Sequence, residues 1–85
     1  MLQNYVVSLS QEERTFLQKF LQQMQYPPYL RRQAQILLYS DTGRYGQGFK
    51  DHRIAACLGV CKETVLNTRK RFVAQGLDFL LKHHS

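Results

Sequence analysis

The chain has 85 residues, 44% of them hydrophobic, with 12 Lys and Arg against 6 Asp and Glu and a formal net charge of +6. That length makes one small domain with a single core and excludes an elaborate active site beside it; the hydrophobic share excludes wholesale disorder. Seven of the basic residues and three of the acids lie from Lys50 onward, so the second half carries most of a field suited to nucleic acid.

Residues Met1–Leu9 form a short arm with alternating character at Tyr5-Val6-Val7. A capping box follows at Ser10-Gln11-Glu12-Glu13, with Ser10 as N-cap and Glu13 reaching back. Phe16, Leu17, Phe20, Leu21 and Met24 recur at helical spacing and define one apolar stripe. This first helix is expected to run to about Gln25 and stop before Pro27-Pro28. Its stripe leaves both internal packing and a homodimer open.

The second helix starts at Pro28 or Tyr29, because proline suits a first helical turn. Leu30, Ala34, Leu37 and Leu38 make its buried face, while Arg31, Arg32, Gln33 and Gln35 face out. It ends near Ser40-Asp41. The segment 43–50, with three glycines, is read as a loop. Neither a preceding strand nor a closing Gly-Lys-Ser/Thr supports a phosphate cradle there. Phe49 or Tyr45 is expected to anchor this loop on the core, with Arg44 and Lys50 near a nucleic-acid backbone.

The window 51–70 carries the spacing of a helix-turn-helix. Ile54, Leu58, Val60 and Val65 fill the angle between two helices, and Ala55 is small where they cross. Gly59 supplies the positive φ of the tight turn. The first motif helix spans about Asp51–Leu58, with Asp51 suited to its N-terminus by capping or by the helix dipole. The second spans about Lys62–Gln75, from an N-cap at Cys61 to Gly76 just past its end. A last turn over 77–81 folds back Leu77, Leu80 and Leu81. The whole reads as an all-α small helical bundle of about four to five helices.

A helical wheel divides the second motif helix. Val65, Thr68 and Phe72 face the core, with the Thr68 hydroxyl bonded back to the helix backbone. Glu63, Asn67, Lys70 and Ala74 lie opposite, flanked by Lys62, Thr64, Leu66 and Arg71. In such a motif the N-terminal part of this helix reaches base edges, so Lys62, Glu63, Thr64 and Asn67 are the candidates for sequence readout. Asn67 suits a bidentate bond to adenine and Lys62 can donate to guanine, while Glu63 can either accept from cytosine or pair with Asn67 or Lys70 and reduce non-specific binding. Arg53, Arg69, Lys70 and Arg71 are assigned to phosphates, which fix docking without reading sequence. The expected partner is double-stranded DNA.

Other chemistries find little support. Cys57 and Cys61 are expected as buried or half-buried free thiols in a reducing compartment. Together with His52 and His83-His84 they match no standard zinc spacing, so neither a metal nor a cofactor is expected. His83-His84 are read as a frayed tail. No catalytic constellation can be assembled from six acids and three scattered histidines, which argues against an enzyme and a small-molecule substrate. Apolar runs such as Ile36-Leu37-Leu38-Tyr39 are far short of the ~20 residues of a membrane span, and no secretory signal is expected at the start.

Three strings extend the pattern beyond the motif: Arg31-Arg32-Gln33-Ala34-Gln35-Ile36-Leu37-Leu38, then Ile54-Ala55 with Leu58-Gly59-Val60 and Thr64-Val65, then Arg69, Arg71-Phe72 and Gly76-Leu77. With Leu9-Ser10 and Glu12-Glu13-Arg14 before them, they resemble the N-terminal domain of bacterial insertion-sequence transposases. The resemblance is greatest to the insertion sequence 630 family of the mariner-like superfamily. It implies a homeodomain-like domain that binds terminal inverted repeats through the helix starting at Lys62, in a cytoplasmic, nucleoid-associated bacterial protein. Cys61 stands where that family often has a serine N-cap, and Thr68 replaces a usual tryptophan. The metal-binding catalytic domain of the family has no counterpart, so residues 1–85 are expected to be a single DNA-binding domain, with its motif at 51–75 and no strand-transfer activity. A stand-alone transcriptional regulator and a protein-interaction module that has lost DNA binding are the competing readings.

Overall fold

A computed structural model describes residues 6–43 and 46–81. The expectations placed on Tyr5, Arg44, Tyr45, the Leu81 side chain and His83-His84 lie outside the described residues. The described residues form five helices: α1 (Gln11–Gln22), α2 (Pro28–Ser40), α3 (Asp51–Leu58), α4 (Lys62–Gln75) and α5 (Asp78–Leu81). No strand occurs among the described residues. The all-α bundle expected from periodicity is the fold that forms.

Local signals set most of the helix boundaries. The Ser10 hydroxyl accepts from the Glu13 N–H at 3.1 Å, and the Ser10 N–H donates to Glu13 Oε1 at 2.9 Å. This closes the capping box that starts α1. The other end departs from expectation. The chain leaves the helix at Gln23, in extended conformation, rather than near Gln25. Leaving early brings the Tyr26 ring back onto Phe20, stacked with centroids 4.0 Å apart. Met24 therefore falls outside the stripe and is 79% exposed. Arg31, expected to point outward, is half-buried. Its Nη2 donates to the Leu21 carbonyl at 3.0 Å, satisfying one of the acceptors left open at the end of α1.

Two groups of apolar side chains fill the bundle. The larger joins Val7 and Leu9 of the arm, Leu17 and Phe20 of α1, Leu30, Ala34 and Leu37 of α2, and Phe79 and Leu80 at α5. The smaller gathers Ile36, Ile54, Ala55 and Val65, with Tyr39, Phe49, Leu58 and Val60 against it. Helix α2 packs on α1, α3, α4 and α5, so it is buried on more than one side. That position explains why Ile36 is fully buried although a single-face reading left it out, and why Leu38 is only half-buried.

The joint between arm, α1 and loop is polar. Asp41 is fully buried at the end of α2. Its Oδ1 accepts from the backbone N–H groups of Leu9 (2.9 Å) and Gly43 (2.8 Å), and its Oδ2 accepts from Arg14 Nη1 (2.8 Å). The Thr42 N–H donates to the Val7 carbonyl at 2.8 Å, holding the arm, and the Gly48 N–H donates to the Asp41 carbonyl at 2.8 Å, closing the loop. At Gly46 an added β-carbon would run into that same Asp41 carbonyl. Gly46→Ala is therefore expected to cost about 1–3 kcal/mol by overpacking. Thermal unfolding followed by circular dichroism would show a Tm lowered by roughly 5–20 °C; an unchanged Tm would mean that the loop gives way freely.

Candidate nucleic-acid interface

The turn between α3 and α4 forms as its glycine dictates. Gly59 sits at φ 70° and ψ 36°, in the left-handed region that a side chain would disfavour. Its N–H and that of Val60 both donate to the Ala55 carbonyl, at 2.8 and 3.0 Å. These two bonds end α3 and reverse the chain within three residues. Ile54, Ala55 and Val65 are buried in the angle between the helices, as the spacing of the motif requires.

Helix α4 divides along the faces read from its wheel. Val65 and Thr68 are buried and Phe72 is half-buried. The Thr68 hydroxyl donates to the Thr64 carbonyl at 2.9 Å, so a polar residue meets the core with its proton satisfied. On the other side Lys62, Glu63, Thr64, Asn67, Lys70, Arg71 and Ala74 are all exposed, and Leu66 is half-buried at their margin. Seven of the eight proposed contact residues thus lie on α4, and six of them share its exposed face.

The remaining two basic candidates are engaged by the protein itself. Arg69 is turned to the start of α3, where its Nη2 lies 2.9 Å from Asp51 Oδ2. Asp51 stands in the first turn of α3, where its charge suits the dipole, while Lys50 occupies the N-cap position without a side-chain bond. The pair therefore ties the two motif helices together. Arg53 is exposed, with its guanidinium carbon 4.1 Å from the centre of the Phe49 ring. Phe49 in turn stacks on Tyr39 with centroids 5.5 Å apart, which anchors the loop as expected of this residue. The Asp51–Arg69 pair was not legible in the sequence, since it depends on how α3 sits against α4, whereas the four-residue spacing of Phe49 and Arg53 is a local signal that could have pointed to their contact.

Both cysteines differ from expectation. Cys57 and Cys61 are exposed free thiols rather than buried or half-buried ones. Cys57 lies in the last turn of α3, and Cys61 precedes α4 without a side-chain capping bond. Among the described residues, no group of His, Cys, Asp and Glu is placed to hold a metal ion. No helix among them is long and apolar enough to cross a membrane.

A family model for a homeodomain-like domain matches residues 27–81, the whole stretch from α2 to α5. The chain belongs to this family. Its α1 and the arm before it lie outside the matched stretch. The chain matches no curated protein and no solved structure.

Proposed function

We propose that this homeodomain-like domain binds double-stranded DNA sequence-specifically, as the DNA-binding, non-catalytic part of a transposase-like protein that recognises terminal inverted repeats. The observation that carries the reading is the exposed face of α4, where Lys62, Glu63, Thr64 and Asn67 occupy the first two turns and Lys70 and Arg71 follow. Side chains at the N-terminal end of such a helix reach base edges in the major groove. Lys70 and Arg71, with Arg53 on α3, neutralise backbone phosphates, while Arg69 is paired with Asp51 between the helices. The transposase assignment rests on the sequence strings that resemble that family, and residues 1–85 act in it as one DNA-binding unit.

Titrating a labelled duplex bearing an inverted-repeat end, across a salt series and against random competitor, tests the proposal. Affinity should fall with salt, with a log–log slope of about −0.9 for each phosphate neutralised. Preference for the repeat end over random duplex supports terminal recognition. Salt-dependent binding without preference would remove the sequence-specific part, and no binding at low salt would remove the whole reading.

A further inference from the structure

The loop before α3 and the first turn of that helix enclose a shallow groove of about 320 Å3, lined by Gln47, Gly48, Phe49, Lys50, His52 and Arg53. Two cationic side chains and one aromatic face meet in it. The aromatic face is held on two counts. Phe49 packs against the smaller core group with its ring parallel to Tyr39 within 6°, and its N–H donates to the Tyr39 carbonyl at 2.9 Å. The ring therefore has little freedom to turn away. Arg53, one helical turn along, lays its guanidinium over this platform at 4.1 Å.

Arg53 and Arg69 are used differently. Arg69 faces the carboxylate of Asp51, whereas no carboxylate among the described residues pairs with Arg53. A guanidinium on an aromatic face keeps its edge N–H groups directed outward, since the ring occupies only its flat side. Such an edge is the part that forms two parallel bonds to a phosphate. In a helix-turn-helix the first helix crosses the DNA backbone, which brings this part of α3 to the phosphates.

We infer that Phe49 is a positioning residue for DNA: its ring, braced on Tyr39, sets the Arg53 guanidinium beside Lys50 so that the two cations receive one backbone phosphate. The inference rests on the DNA-binding reading above and adds to it a residue that carries no charge. Its signature is that an aromatic substitution changes an electrostatic property.

The test compares wild type, Arg53→Ala, Phe49→Leu, Phe49→Tyr and the Phe49→Leu/Arg53→Ala double variant on a random duplex across a salt series. Arg53→Ala should weaken binding about tenfold, as the loss of one charged hydrogen-bonding partner does, and make the salt slope shallower by about 0.9. Phe49→Leu, with the charge unchanged, should weaken it about three- to fivefold and also flatten the slope. Phe49→Tyr should restore both, and the double variant should be no weaker than Arg53→Ala alone. Phe49→Leu binding with wild-type affinity and slope, or adding its full loss to that of Arg53→Ala, would overturn the inference. Should Phe49→Leu fail to fold, proton spectra of the free wild-type chain decide. The Arg53 δ-methylene protons should be shifted upfield by the ring, and ordinary shifts there would reject the placement. A wild type that binds no duplex at low salt removes the DNA reading and this inference with it, whereas wild-type binding without Phe49–Arg53 coupling removes the inference alone.

Discussion

Replacing Asp41 with alanine should destabilise the fold by about 3–5 kcal/mol, the usual cost of removing one partner from a buried charge pair. The carboxylate is fully buried and serves three donors at once: the Leu9 and Gly43 amides and the Arg14 guanidinium. Alanine leaves two backbone N–H groups and a cation without their acceptor, and each stranded donor adds its own desolvation cost. For a domain of this size the loss takes a large share of the roughly 5–15 kcal/mol that holds a native state together. Urea unfolding should show a midpoint moved far down, and heating a Tm lower by roughly 15 °C or more. Asp41→Asn should fall between the two, because its amide oxygen still serves the backbone donors while its NH2 group faces Arg14 donor to donor. A Tm for Asp41→Ala within a few degrees of wild type would show that the arm and loop are held by other means.

The second large effect concerns α4. Asn67→Ala should reduce the preference for a cognate duplex over a random one by about 1–3 kcal/mol, roughly five- to a hundredfold, with little change on the random duplex. Arg71→Ala should weaken both duplexes alike and make the salt slope shallower by about 0.9. Both residues are exposed on the same helix, so neither truncation disturbs the core and the two losses can be read as binding effects. Competition titrations at two salt concentrations separate the outcomes. Equal losses for both variants on both duplexes would reject the division between base readout and backbone contact.

What was legible in the sequence follows from how far each signal reaches. The capping box of α1, the ends of α3 and α4, the left-handed turn at Gly59 and the back-bonded Thr68 hydroxyl involve partners no more than five residues apart. Such features are written where they occur. The end of α1 was misplaced because it depends on Tyr26 stacking onto Phe20, a contact that helical spacing does not encode. Ile36 was missed because a periodic stripe describes one buried face, and α2 has neighbours on several sides. The sequence gives no sign of the Asp41 joint, whose partners Arg14 and Leu9 lie 27 and 32 residues away. At the candidate interface, the exposed face of α4 was read from periodicity alone. The Asp51–Arg69 pair, 18 residues apart, required the packing of α3 on α4, whereas Phe49 and Arg53 are only four residues apart.

Because α2 lines both groups of apolar side chains, contributing Leu37 to one and the adjacent Ile36 to the other, the fold has no seam along which the α3–α4 pair can swing as a separate piece. On the DNA-binding reading proposed above, the exposed face of α4 would meet a duplex already shaped. Little backbone entropy remains to be lost on docking, and the association is closer to a rigid fit than to folding on contact. On the same reading, this stiffness would narrow the range of groove geometries it tolerates, so that a duplex with the wrong width or bend is disfavoured by shape.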